Sequence, residues 1–106
     1  SALDKIAAQC DAKVLSFEID TYEAANAGIA TTELIKQFGS RVALLHLHDE
    51  YNVGDGDKID FDATLKEASR HGVDNIYIEV HNFTQPPINC VEKSIFYVEA
   101  LPSAQY

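Results

Sequence analysis

Apolar residues gather in three short runs along this chain, at residues 14–19, 42–48 and 76–80. None of the runs alternates cleanly between apolar and polar positions, and each is rich in β-branched residues or leucine. That pattern predicts buried parallel strands covered on both faces, because a strand with one wet face alternates. Around the runs the apolar spacing turns helical. Residues 2–11 are alanine-rich and predict an opening helix. Thr31 is placed to cap a helix through Leu34, Ile35 and Phe38, which Gly39 ends. Asp60 is placed to cap another over residues 61–71, closed by Gly72, with Leu65 and Ala68 on one face. Val91, Ile95 and Val98 form a last helical stripe ended by Pro102, and Pro86-Pro87 marks the loop into it.

The predicted order is a helix followed by three strand–helix units, in one domain spanning residues 1–106. The strand starts at 14, 42 and 76 lie 28 and 34 residues apart, the length of a βαβ unit. A (β/α)8 TIM barrel of ~250 residues allots ~31 residues to each unit. The expected fold class is therefore α/β with parallel strands, about three βα units forming the C-terminal portion of such a barrel. Three strands cannot close a barrel, and the outer edges they leave are sticky. The chain is expected to be part of a longer protein. Its edges are expected to self-associate or to pair with the missing N-terminal barrel half, an open sheet with covered edges being the alternative.

Composition narrows the partners. The 46% hydrophobic content is that of a globular domain. Seventeen acidic against eight basic residues give a net charge of −9. That balance argues against nucleic acid, whose phosphates demand a basic footprint, and against an anionic membrane surface. It suits a site for a divalent cation. No apolar run approaches the ~20 residues of a membrane span, and the first residues lack the pattern of a signal peptide. The chain contains no methionine, so Ser1 is read as following a tag scar, a cleavage or a truncation. Cys10 and Cys90 are too few for a disulfide framework. Both are read as reduced and buried, in a cytoplasmic protein.

Parallel α/β proteins build their sites where strands end. The three predicted strands end in Glu18-Ile19-Asp20, in His46-Leu47-His48-Asp49 and in Ile78-Glu79-Val80-His81. Asp20, His46 and Glu79 together supply a mixed oxygen and nitrogen donor set suited to Mn²⁺, Mg²⁺, Co²⁺, Fe²⁺ or Zn²⁺. Each has a plainer role open to it. Asp20 alone reads as a helix cap, and His46 alone as a core histidine. Glu79 in an apolar strand would be costly if buried without a partner. Glu18, His48 and His81 share strand parity with these residues and so face the same way, as supporting or lining groups. The acidic, glycine-containing stretch at 49–60 lacks EF-hand spacing, since Tyr51 and Val53 fall where oxygen ligands belong. Its Gly54-x-Gly56 pair also lacks the placement of a nucleotide loop. A mobile or tightly turned active-site loop is expected there, or else a plain surface loop.

Phe17-Glu18-Ile19-Asp20-Thr21-Tyr22, Leu45-His46-Leu47-His48-Asp49, the segment from Gly54 to Phe61, and Ile78-Glu79 follow one another in the chain. In that order they resemble motifs of the sugar phosphate isomerase/epimerase family, whose fold is a xylose-isomerase-like TIM barrel. The resemblance implies a divalent metal held by two Glu, one Asp and one His, of which Asp20, His46 and Glu79 match three. The fourth, a glutamate on an earlier strand, has no counterpart in this sequence. It further implies that Glu79 is both ligand and catalytic acid/base for proton transfer next to a carbonyl through an ene-diolate. By the same resemblance Asp49 and Asn52 fall where substrate is contacted. Glu23 stands at another substrate-contacting position, where relatives carry a histidine or tryptophan. The implied partner is a small-molecule sugar or sugar phosphate. A non-catalytic metal- or sugar-binding piece of the barrel is the alternative.

Overall fold

The computed structural model describes residues 2–104. Ser1, Gln105 and Tyr106 belong to the predicted 1–106 domain but lie outside the described residues. The elements follow in the order α1 (Ala2–Gln9), β1 (Phe17–Asp20), α2 (Thr21–Asn26), α3 (Thr31–Phe38), β2 (Val42–His48), α4 (Phe61–Arg70), β3 (Ile76–Glu79) and α5 (Pro87–Glu99). The strands form one sheet in the order β1-β2-β3, and both pairings are parallel. This is the expected arrangement of about three βα units, an open segment of a (β/α)8 barrel.

One face of the sheet is covered by helices. Ile19, Leu45 and Leu47 join Ile35, Phe61, Leu65, Ala68 and Val73 in a single buried core, with Ile78 and Val98 packed against it. Strand side chains alternate between faces, so Glu18, Asp20, His46, His48 and Glu79 project from the opposite face. The strand prediction of two covered faces is corrected here. In β2 the alternation is visible as burial of Leu45 and Leu47 around a half-buried His46. In β3, an edge strand, Ile76 and Tyr77 are exposed.

Several boundaries differ from the sequence-based expectation for local reasons. The first strand begins at Phe17, because β2 begins at Val42 and these two residues are register partners. Val14 is 83% exposed. It lies in a turn in which the Asp11 carboxylate accepts the Lys13 N–H at 2.8 Å and the Asp11 carbonyl accepts those of Val14 and Leu15. Helix α2 was not anticipated. Thr31 is the first residue of α3 and not its cap. Ala30 holds the cap position and provides no side-chain bond. Asp60 does cap α4, accepting the Ala63 N–H at 2.9 Å. Cys90 is buried as expected, but Cys10 is exposed, and both are free.

Arg41 fastens α1, which has no buried residue of its own. Its guanidinium donates to the carbonyls of Ala7, Cys10 and Leu15 at 2.7, 3.1 and 3.3 Å, and sits 5.2 Å from the Phe17 ring. Among the described residues no helix is long and apolar enough to cross a membrane.

Candidate functional site

Asp20, His46 and Glu79 come together from three different strands. One ligating atom from each lies within 4.8 Å of the other two. Parallel register produces this meeting: Asp20 pairs with His46, and His48 pairs with Glu79, at the C-terminal ends of the strands. All three residues are half-buried, so each side chain is ordered by neighbours yet reachable.

Asp20 serves two ends at once. Its Oδ1 accepts the N–H groups of Tyr22 and Glu23 at 2.9 and 3.0 Å, which caps α2. His48 Nδ1 lies 3.0 Å from Oδ2. Burial pushes the Asp20 carboxyl up, but the Glu23 N–H, the hydrogen bonds with Glu79 and His48, and the charge of His48 outweigh it. The group is therefore held below its ordinary value of 3.8. The cap uses Oδ1 alone, while His48 Nδ1 stands 3.1 Å from Oδ1 and 3.0 Å from Oδ2.

His46 presents Nδ1 to Glu79 Oε2 at 3.4 Å and Nε2 to Glu18 Oε1 at 2.9 Å. It is not a core histidine, since it stands on the helix-free face. Glu79 is far from unpartnered. His81 Nε2 lies 2.6 Å from its Oε1, and His48 Nδ1 lies 3.7 Å from its Oε2. The His48 ring contacts those of Tyr22 and His81 in tilted geometry, with centroids 4.9 and 4.8 Å away.

The cluster fits a divalent cation by the chemistry of its donors. Two carboxylates and an imidazole converge, and two carboxylates this close repel one another unless a positive charge stands between them. Clefts of about 510 and 470 Å³ touch none of the three residues, while a smaller one of about 240 Å³ is lined by Asp20, with Glu18 and Glu23 beside it.

The remaining candidate residues take different positions. Asp49 is buried, and its carboxylate accepts the N–H groups of Glu50, Gly54 and Gly56 at 2.8, 3.2 and 3.1 Å. It holds the 49–56 loop in a tight turn. A Cβ on Gly56 would lie 2.5 Å from Asp49 Oδ1, and one on Gly54 2.6 Å from the Tyr97 ring. These approaches give the Gly-x-Gly spacing its physical reason. Asn52 is fully buried, and its side-chain amide has no hydrogen-bond partner among the described residues. Glu23 is exposed in the first turn of α2.

Sequence reasoning missed Thr21. Its hydroxyl donates to the His48 carbonyl at 2.6 Å and accepts the His48 N–H at 2.9 Å, fully buried. Thr21 thus locks the ends of β1 and β2 together beneath the cluster. The signal was a threonine directly after the strand-end aspartate.

Solved structures share this fold. The chain superposes on a sugar phosphate isomerase/epimerase from Parabacteroides distasonis with a TM-score of 0.89 and 26% identity, covering 95% of this chain and 36% of that one. A second sugar phosphate isomerase/epimerase from the same organism gives a TM-score of 0.90 over 97% of this chain and 37% of that one. Its identity of 18% shows the fold alone. No protein-family profile matches the chain, and no curated protein matches it significantly. The resemblance read from the sequence motifs thus agrees with the fold. The chain spans a little over a third of the length of the structures it matches.

Proposed function

We propose that this chain supplies three of the metal-holding residues, and one of the two acid/base groups, of a divalent-metal-dependent isomerase or epimerase acting on a sugar or sugar phosphate. The observation that carries the reading is the convergence of Asp20, His46 and Glu79 from three parallel strand ends, on a fold shared with sugar phosphate isomerases/epimerases.

Asp20 Oδ2, one His46 nitrogen and Glu79 would hold the ion. When bound, it supplies the positive charge that opposes negative charge on the ene-diolate oxygens. Glu79 takes the proton from the carbon next to the substrate carbonyl and, in an isomerisation, returns it to the former carbonyl carbon, while the hydroxyl proton passes between the two ene-diolate oxygens. Inversion at the same carbon needs a second group on the opposite face. The resemblance assigns that group to a glutamate on an earlier strand, beyond this sequence. His81, at 2.6 Å from Glu79 Oε1, keeps one carboxylate oxygen engaged and leaves Oε2 turned toward His46 and His48. Asp49 acts on the site by shaping the loop after β2. Glu23, at the head of α2, is the side chain placed to vary substrate choice.

The open sheet favours a second reading for the chain by itself, as a metal- or sugar-binding piece without turnover. Tyr77 and Ile76 on the β3 edge and Ile88 and Phe96 on α5 are exposed apolar residues. They suit pairing with further strands and helices of a closed barrel, or with another copy of this chain.

Calorimetry with Mn²⁺ and Co²⁺ tests the reading, on the chain and on its His46→Ala and Glu79→Ala variants. The expected result is binding that both substitutions weaken at least tenfold. Binding indifferent to both would overturn the shared site. Supplying the remaining barrel strands then separates the enzyme from the binding piece, because only the former gains ketose isomerisation or epimerisation.

A further inference from the structure

The heads of the helices after β1 and β2 are not finished alike. Asp20 caps α2 and Asp60 caps α4 through their carboxylates. At the head of the eight-residue α3, Ala30 provides no side-chain bond, so the first N–H groups, those of Thr31 and Thr32, stay unclaimed. Both residues line the cleft of about 510 Å³, together with Gly28, Lys58 and Asp60. Thr31 is only 6% exposed. A buried threonine ordinarily spends its hydroxyl on a nearby carbonyl, as Thr64 does on that of Asp60 at 2.8 Å. The Thr31 hydroxyl has no partner among the described residues and is not sealed from solvent, so it opens on the cleft that Thr31 lines.

We propose that this cleft is a binding site for a phosphate group, carried by inorganic phosphate or by a sugar phosphate. Free N–H groups at a helix head and the partial positive charge of the helix dipole together favour an anion there. The hydroxyls of Thr31 and Thr32 add two further donors. Lys58 is exposed and forms no ion pair among the described residues, which leaves its ammonium available to the anion. Asp60 opposes an anion, but its Oδ1 is engaged by the Ala63 N–H, and Lys58 two residues before it offsets the charge. The net charge of −9 disfavours diffuse attraction of anions. A phosphate held here is therefore held by these local donors. None of Asp20, His46 and Glu79 lines the cleft, so the site is separate from the metal cluster and does not rest on that reading.

The test titrates the chain with inorganic phosphate at constant ionic strength and neutral pH, without divalent metal, and follows backbone amide shifts by NMR. The amides of Thr31 and Thr32 are expected to shift and to saturate. Thr31→Val removes a hydrogen bond to a charged group and should raise the dissociation constant about tenfold, while Thr31→Ser, which keeps the hydroxyl, should restore it. Lys58→Ala removes only an exposed charge and should raise it about threefold. Because Lys58 is exposed, its substitution should leave the unfolding midpoint unchanged, so that weaker binding there is not a folding defect. Glucose 6-phosphate and glucose are titrated in parallel. Binding of the ester at least as tight as that of inorganic phosphate, with no shift from glucose, assigns the site to a phosphate ester. Weaker binding of the ester assigns it to the free anion. Both uphold phosphate recognition.

No saturable shift at Thr31 and Thr32, or a shift to which Thr31→Val and Lys58→Ala are both indifferent, would mark an adventitious ion only and overturn the proposal. With metal absent throughout, that outcome leaves the calorimetry of His46→Ala and Glu79→Ala untouched, and a chain that binds no Mn²⁺ or Co²⁺ leaves the phosphate site standing.

Discussion

His48 Nδ1 lies 3.0 Å from Oδ2 of Asp20, while Oδ1 of the same carboxylate caps α2 through the Tyr22 and Glu23 amides. One aspartate thus joins the start of a helix to the end of the neighbouring strand. Thr21 repeats the connection one residue later, bonding both the carbonyl and the N–H of His48.

An asparagine keeps an oxygen for the cap but carries no charge, so substitutions should separate the cap from the proposed ligand role. Asn is as good an N-cap as Asp. Asp20→Asn is expected to keep stability within about 0.5 kcal/mol of the parent and to lose at least tenfold in Co²⁺ affinity. Asp20→Ala should lose the affinity and also about 1 kcal/mol of stability with the cap. Urea midpoints and calorimetry on both variants check this. Equal stability of the two would mean that Asp20 does not cap α2.

The carboxyl of Asp20 also makes stability depend on pH in a definite direction. Its folded-state value is held below the ordinary 3.8 by the Glu23 N–H, Glu79 and His48, against the upward push of burial. The unfolded chain therefore binds the proton more readily than the folded one. The stabilisation is fully present above about 3.8 and is lost as pH falls through the folded value. Relative to Asp20→Asn, which does not titrate, the parent should be progressively less stable as pH drops below 3.8. Parallel urea titrations between neutral pH and the lowest pH at which both proteins fold give the difference. A difference that stays flat would remove Asp20 from the acid sensitivity.

The close approach of Asp49 to Gly56 predicts a coupled pair. Gly56→Ala places a Cβ 2.5 Å from Asp49 Oδ1 and should destabilise by about 1–3 kcal/mol, as overpacking does. Asp49→Ala frees the amides of Glu50, Gly54 and Gly56 and should destabilise as well. In the double variant the clash is gone, so the effects should add to less than their sum by more than 0.5 kcal/mol or so. Additive effects would show that the loop is not organised around this carboxylate.

Arg41 predicts a local opening. With α1 held through the carbonyls of Ala7 and Cys10, tied to α3 by Gln37 donating to Asp4, and burying nothing of its own, Arg41→Ala should loosen it. Amide exchange in residues 5–9 is expected to quicken at least tenfold or so, with protection in β2 little changed. Arg41→Lys should rescue only partly, because an ammonium lacks the planar fork that reaches several carbonyls together. Loss of protection in both regions together would show that α1 belongs to the cooperative core.

Much of this protein is determined by local sequence. The apolar runs at β2 and β3, the Asp60 cap, the glycine after α3 and the spacing of the units settle a parallel α/β order, because hydrophobic period and cap chemistry act over a few residues. Asp20, His46 and Glu79 were legible for the same reason: parallel strands deliver their last residues to one edge, whatever the details of packing. Tertiary structure decided the rest. Val14 belongs to a turn because no partner lies opposite it once Phe17 pairs with Val42. Asp49 became a loop clasp when its carboxylate met the amides of Gly54 and Gly56, several residues away. The helices cover one face of the sheet because successive parallel strands in the order β1-β2-β3 are joined by crossovers of one hand, a fact no single strand's hydrophobicity can record. The partners of the cluster, Glu18 behind His46 and His81 behind Glu79, emerge only when register and side-chain direction are set together. Hydrogen bonds depend on distances of tenths of an ångström, which a pattern of residue types does not contain.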